Sequence, residues 1–216
     1  MTNSSFFFFV LGSLCFLSTA AVATDNDHNE VVVDYSQPLC FETRPELDQA
    51  VADYLSGDAN RRHDVELIYG ERIGTWCTSH ITDFSRVFDR YATFNEPLDG
   101  WDMSQAATLE GMFFGAHLFN QDLSMWNVDN VQDLSDMFVY AVNFSQDLSS
   151  WNTSRVTSMR GTFFQATHFA KCSSLLQWDT ASVTDKTRML RGTPCEQHES
   201  LRAILGEEAF ADERRA

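Results

Sequence analysis

The chain has 216 residues, 44% of them hydrophobic, and a formal net charge of −16. That length and apolar share suffice for a folded domain with a sizeable core. The acidity excludes nucleic acid and anionic membrane surfaces as partners, because both are gripped by basic patches.

In chain order, the first expected element is a signal peptide over residues 1–23. Residues 6–23, FFFFVLGSLCFLSTAAVA, are apolar or small and end in Ala21-Val22-Ala23, the small-x-small pattern of a cleavage site. The run is short for a membrane span, and its small-residue end suits cleavage rather than anchoring. Leu14 is bulky where a lipid-attachment site at Cys15 needs a small residue. The expected mature protein is secreted and extracellular, free or at the cell surface, with no membrane span after cleavage. Four cysteines remain, Cys40, Cys77, Cys172 and Cys195, and an even count in an exported chain reads as two disulfides.

Residues 24–72 read as an acidic segment and a helical cap. Thr43-Arg44-Pro45-Glu46 offers an N-cap hydroxyl, an early proline and a glutamate three on, the pattern of a capping box. Leu47, Val51, Tyr54 and Leu55 follow at helical spacing, and Gly57 stops the helix.

Residues 73–195 repeat. Trp76, Trp101, Trp126 and Trp151 recur every 25 residues, and Trp178 follows after 27. Phe88, Phe113, Phe138 and Phe163 keep the same interval, as do Phe94, Phe119, Phe144 and Phe169. Leu98, Leu123 and Leu148 hold a further slot, and Ala116, Ala141 and Ala166 another. Paired-helix repeats need about 33 residues or more, whereas leucine-rich-type repeats use about 20–29. Within a unit, Leu123, Trp126 and Val128 suggest a short strand. Val131, Leu134, Met137, Phe138, Ala141 and Phe144 fall three or four apart, as on one face of a helix. The expected fold is therefore α/β: a leucine-rich-like solenoid of about four 25-residue coils, each a short parallel strand plus a short helix, behind an N-terminal helical cap. Residues 196–216 read as a polar tail or short helix.

The phrases Trp151-Asn152-Thr153-Ser154-Arg155-Val156-Thr157-Ser158-Met159 and Phe119-Asn120-Gln121-Asp122-Leu123-Ser124 resemble the BspA-like, or mycoplasma-type lipoprotein, 25-residue surface-protein repeat. The resemblance covers about residues 73–190. It implies a leucine-rich-like solenoid on an exported protein and brings no catalytic residues.

The cysteines sit near the two ends of the array. Pairing across it would span roughly 15–20 Å at ~4.8 Å per coil, against the ~4.4–6.8 Å that a disulfide allows between Cα atoms. The expected pairs are Cys40–Cys77 and Cys172–Cys195.

Catalytic and cofactor motifs are not found. The six histidines make no paired ligand pattern, and no nucleophile turn or phosphate loop occurs. Asp122 and Asp147 share a slot, but the third copy is Pro97, so turn-closing carboxylates are expected rather than a metal ladder. If Trp126 points inward, Met125 and Asn127 point outward. The equivalent outward residues are Asp102, Ser150 and Asn152, which together with Met125 and Asn127 form the candidate binding surface on the strand face. Asn143 and Asn152 begin glycosylation sequons, and a sugar on Asn152 would obstruct that face. The expected function is non-enzymatic recognition or adhesion, toward an extracellular protein or glycan. The alternative is a structural component of an extracellular matrix or cell wall.

Overall fold

A computed structural model describes residues 20–24, 30–34 and 38–211. Strands β1 (Ala20–Thr24) and β2 (Glu30–Asp34) pair antiparallel, with Ala20 opposite Asp34. The expected cleavage motif falls in β1; the rest of the leader, with Cys15, lies outside the described residues.

Helix α1 (Arg44–Tyr54) starts at Thr43, whose hydroxyl accepts from the Glu46 N–H while the Glu46 carboxylate accepts from the Thr43 N–H at 3.0 Å. Such a box is worth about 1 kcal/mol. Leu47, Ala50, Val51 and Tyr54 are its buried residues, and the Tyr54 ring meets Trp76 edge-on at 5.3 Å. Residues 55–58 lead to α2 (Ala59–Tyr69), capped by the Asp58 carboxylate, which accepts from the Asn60 and Arg61 N–H groups. Val65 is the one buried residue of α2.

The expected α/β solenoid is not what forms. Residues 76–173 contain neither strand nor helix. Neighbouring coils touch through isolated parallel bridges, one residue each, at Asp83, Thr108, Asp133, Ser158 and Asp185. The stretch read as a helix is a run of β-turns. Met137, Val139 and Ala141 donate three residues back, to Leu134, Asp136 and Phe138. The alternate residues Leu134, Asp136, Phe138 and Tyr140 donate instead to the following coil, at Ser158, Arg160, Thr162 and Phe164, over 2.7–3.0 Å. A helix would satisfy its N–H groups internally and leave none for a neighbouring coil; the turns divide them evenly. This geometry needs left-handed residues. Asp136 and Tyr140 both lie at φ 56°, and the matching residues one coil earlier are Gly111 and Gly115.

The core is built from aromatic columns. Phe88, Phe113, Phe138 and Phe163 stack with centroids 5.4–5.6 Å apart, nearly parallel. Phe94, Phe119, Phe144 and Phe169 form a second column at 5.8–6.1 Å. Within each coil the two columns touch, as in Phe138–Phe144 at 3.9 Å. All eight rings are buried, and burying each stabilises by about 1.5–3 kcal/mol. Trp126, Trp151 and Trp178 form a third column, at 6.5 and 6.1 Å.

Both ends of the stack are covered. Disulfide Cys40–Cys77 ties the entry segment to the first coil, and Cys172–Cys195 ties the last coil to the C-terminal cover. Helix α3 (Glu199–Leu205) leads into a turn whose Glu208 and Ala209 carbonyls accept from the Arg188 and Leu190 N–H groups, forming a terminal rung. Chain ends of a repeat array need such covers.

Candidate recognition surface

Each residue of the repeated phrase has a separate role. In Phe119-Asn120-Gln121-Asp122-Leu123-Ser124, Phe119 and Leu123 are core residues. The Asn120 side-chain oxygen accepts from the Ser145 N–H of the next coil at 2.9 Å and from the Gln146 amide. Asn95 serves Asn120 and Gln121 in the same way one coil earlier. Asp122 accepts from the Ser124 N–H at 2.8 Å, and Asp147 from Ser149 at 2.9 Å. That bond holds the Asp147 carboxyl below the usual range. These carboxylates close their own turns, as Asx residues do. Among the described residues, no group of three His, Cys, Asp or Glu is placed to hold a metal.

The candidate binding residues lie in turns rather than on a strand, because residues 100–103, 125–128 and 150–153 form no ladder; the strand-face description is corrected accordingly. They are nonetheless exposed. Met125 is 82% exposed beside Trp126 at 4%. Asp102, Asn127 and Asn152 each accept an N–H two residues on, from Ser104, Asp129 and Ser154. Ser150 donates to the Ser124 carbonyl at 2.7 Å. The five residues thus form one ridge along the stack, in which Met125 is the large apolar side chain and the polar members already hold local bonds.

The sequons differ. Asn143 is exposed, and its N–H bonds the His117 carbonyl of the preceding coil. Asn152 has its side chain in a turn, and the neighbouring Thr153 is buried with its hydroxyl on the Asp179 carbonyl.

Sequence reasoning missed the opposite, turn-rich face. There Tyr140 meets Phe114 and Phe164 edge-on at 6.2 and 5.9 Å. The Arg86 and Arg188 guanidinium groups lie over Phe114 and Phe164. Asp136 pairs with Arg160; burial raises its pKa against the pull of that arginine. Gly111 and Gly161 flank Asp136 in the same slot of the adjacent coils, and any side chain at Gly161 would collide with the Asp136 carboxylate. The sequence signal was those glycines inside an apparent helix.

No helix among the described residues is long and apolar enough to cross a membrane. Comparison with curated proteins gives no match, and comparison with solved structures gives none either. A family model matches residues 61–174 and again 126–199, overlapping segments that together take in more than half of the chain. The chain therefore belongs to the family described as Mycoplasma protein of unknown function, DUF285.

Proposed function

We propose that this protein is a secreted, non-enzymatic recognition or adhesion module that binds an extracellular protein or glycan. The carrying observation is the contrast between slots. The phenylalanine columns keep one residue from coil to coil, and the turn-closing slot of Asp102, Asn127, Asn152 and Asp179 keeps Asp or Asn. The outward slot of Met125 changes: it holds Gly100, Ser150 and Gln177 in other coils. A scaffold fixed inside and varied outside is suited to presenting a surface. The two disulfides support an oxidising, extracellular setting, and the BspA-like resemblance supports export to a cell surface.

The test is a glycan and protein array probed with the native protein and with Met125→Ser, a change at an exposed site that should leave the fold intact. Saturable micromolar binding, weakened at least about fivefold by Met125→Ser, is expected. No binding at any concentration would instead favour a structural matrix or cell-wall component. Glycopeptide mass spectrometry should find Asn152 bare if this ridge binds.

A further inference from the structure

The two helices of the cap form a groove of about 500 Å³, within the size range of ligand sites. Helix α1 lines it with Glu46, Gln49, Ala50 and Asp53. Helix α2 lines it with Arg61, Asp64, Val65 and Ile68. Each set is spaced i, i+3, i+4, i+7, so the groove follows the seam between the helices along one face of each. Its floor is Ala50, Val65 and Ile68, with Tyr69 at one end. Its rim carries the carboxylates of Glu46, Asp53 and Asp64, set against Arg61, which pairs with Asp53 at 3.3 Å.

Helix α2 is sparsely covered. Val65 is its one buried residue, and Leu67 is 58% exposed. Eleven residues at ~1.5 Å each give a seam of about 16 Å, the length of a three-turn helix. We infer that this groove receives a basic amphipathic helix from an extracellular protein partner. Apolar residues of that helix would lie on Ala50, Val65 and Ile68, and its Lys or Arg residues would face Glu46, Asp53 and Asp64. This is helix-in-groove recognition, with charge setting encounter and specificity. Charge also decides against the chain's own N-terminal segment as occupant: Asp25, Asp27, Glu30 and Asp34 would meet the acidic rim with like sign. The inference rests on the recognition reading and names one partner chemistry for it.

The experiment titrates the full protein with a synthetic Leu/Lys amphipathic peptide of about 14 residues, near the length at which helices begin to persist in water. Its Leu/Glu counterpart and spermidine serve as comparison probes. Expected are saturable binding of the Leu/Lys peptide, loss of binding as salt rises, and at least tenfold weakening by Asp64→Lys. Asp64 is exposed, so thermal unfolding of that variant should match the parent. Met125→Ser should leave peptide binding unchanged, which separates this site from the ridge. Equal binding of the Leu/Glu peptide, insensitivity to Asp64→Lys, or no binding would overturn the inference. Displacement of the peptide by equimolar spermidine would overturn it in favour of a small cation. None of these outcomes bears on whether the array finds a ligand for the ridge.

Discussion

The indole N–H of Trp151 donates to the main-chain oxygen of Leu123 at 3.0 Å, one coil back. Trp101, Trp126 and Trp178 do the same to Ile73, Leu98 and Leu148 at 2.7–3.1 Å. On the side of each coil where the backbone makes no ladder, a side chain supplies the stitch. Trp151→Phe keeps a ring against Trp126 and Trp178 but removes the inter-coil donor from the Leu123 carbonyl, which retains only the Trp126 N–H of its own turn. It should cost about 0.5–1.5 kcal/mol for the lost hydrogen bond, and Trp151→Ala about 3–5 kcal/mol, both measured by urea unfolding. A Phe variant as stable as the parent would show that the hydrogen bond contributes nothing.

Those indoles show what was legible in the sequence. The 25-residue interval and the inward slots of tryptophan and phenylalanine are plain in the letters, because stacking demands the same ring at the same place. The secondary structure within a coil was not. Tandem β-turns and a helix both place apolar residues three or four apart, so Val131, Leu134, Met137 and Phe138 fit either. The discriminating signal was Gly111, Gly115 and Gly161, whose left-handed conformations the turns require. The Trp126-Asn127-Val128 alternation imitated a strand because Asn127 turns outward to close its own turn. Helix α2 escaped notice since it offers one buried residue rather than an apolar stripe. The acidic groove followed it out of sight, being a seam between two helices that do not belong to the repeat.

Gly161→Ala should be more harmful than Gly57→Ala. Both glycines have positive φ, 60° and 78°, but nothing lies within 4 Å of the place where a Cβ would stand at Gly57. At Gly161 that Cβ collides with the Asp136 carboxylate, which is paired with Arg160. The expected costs are about 1 kcal/mol at Gly57, for the left-handed backbone alone, and more than about 2 kcal/mol at Gly161. Thermal unfolding of the two variants compares them directly.

Each disulfide closes a loop, with sequence separations of 37 and 23 for Cys40–Cys77 and Cys172–Cys195. Removing either by paired Cys→Ser substitution should lower stability by about 3–4 kcal/mol. Reduction of the parent with dithiothreitol should lower its melting temperature in the same sense. An unchanged melting temperature on complete reduction would contradict this.

The Tyr54 hydroxyl donates to the Glu96 carboxylate at 2.9 Å, joining α1 to the first coil. Burial, then that bond, pushes its pKa up to about 12. The protonated phenol is the form that the fold favours. Its contribution is therefore complete below the unfolded value near 10 and is lost as pH rises toward about 12. Stability should fall across that window in the parent, and the fall should be smaller in Tyr54→Phe. Urea midpoints measured from pH 9 to 12 would show it, and equal slopes for the two proteins would contradict it.

Hydrogen exchange at the indole N–H groups, followed by NMR, tests the stacked-turn architecture most directly. Trp101, Trp126, Trp151 and Trp178 each donate a buried bond across a coil boundary. All four protons should exchange only through global unfolding, at rates set by the stability of the whole domain. Exchange of these protons at the rate of free tryptophan would show that the coils do not stack in this way.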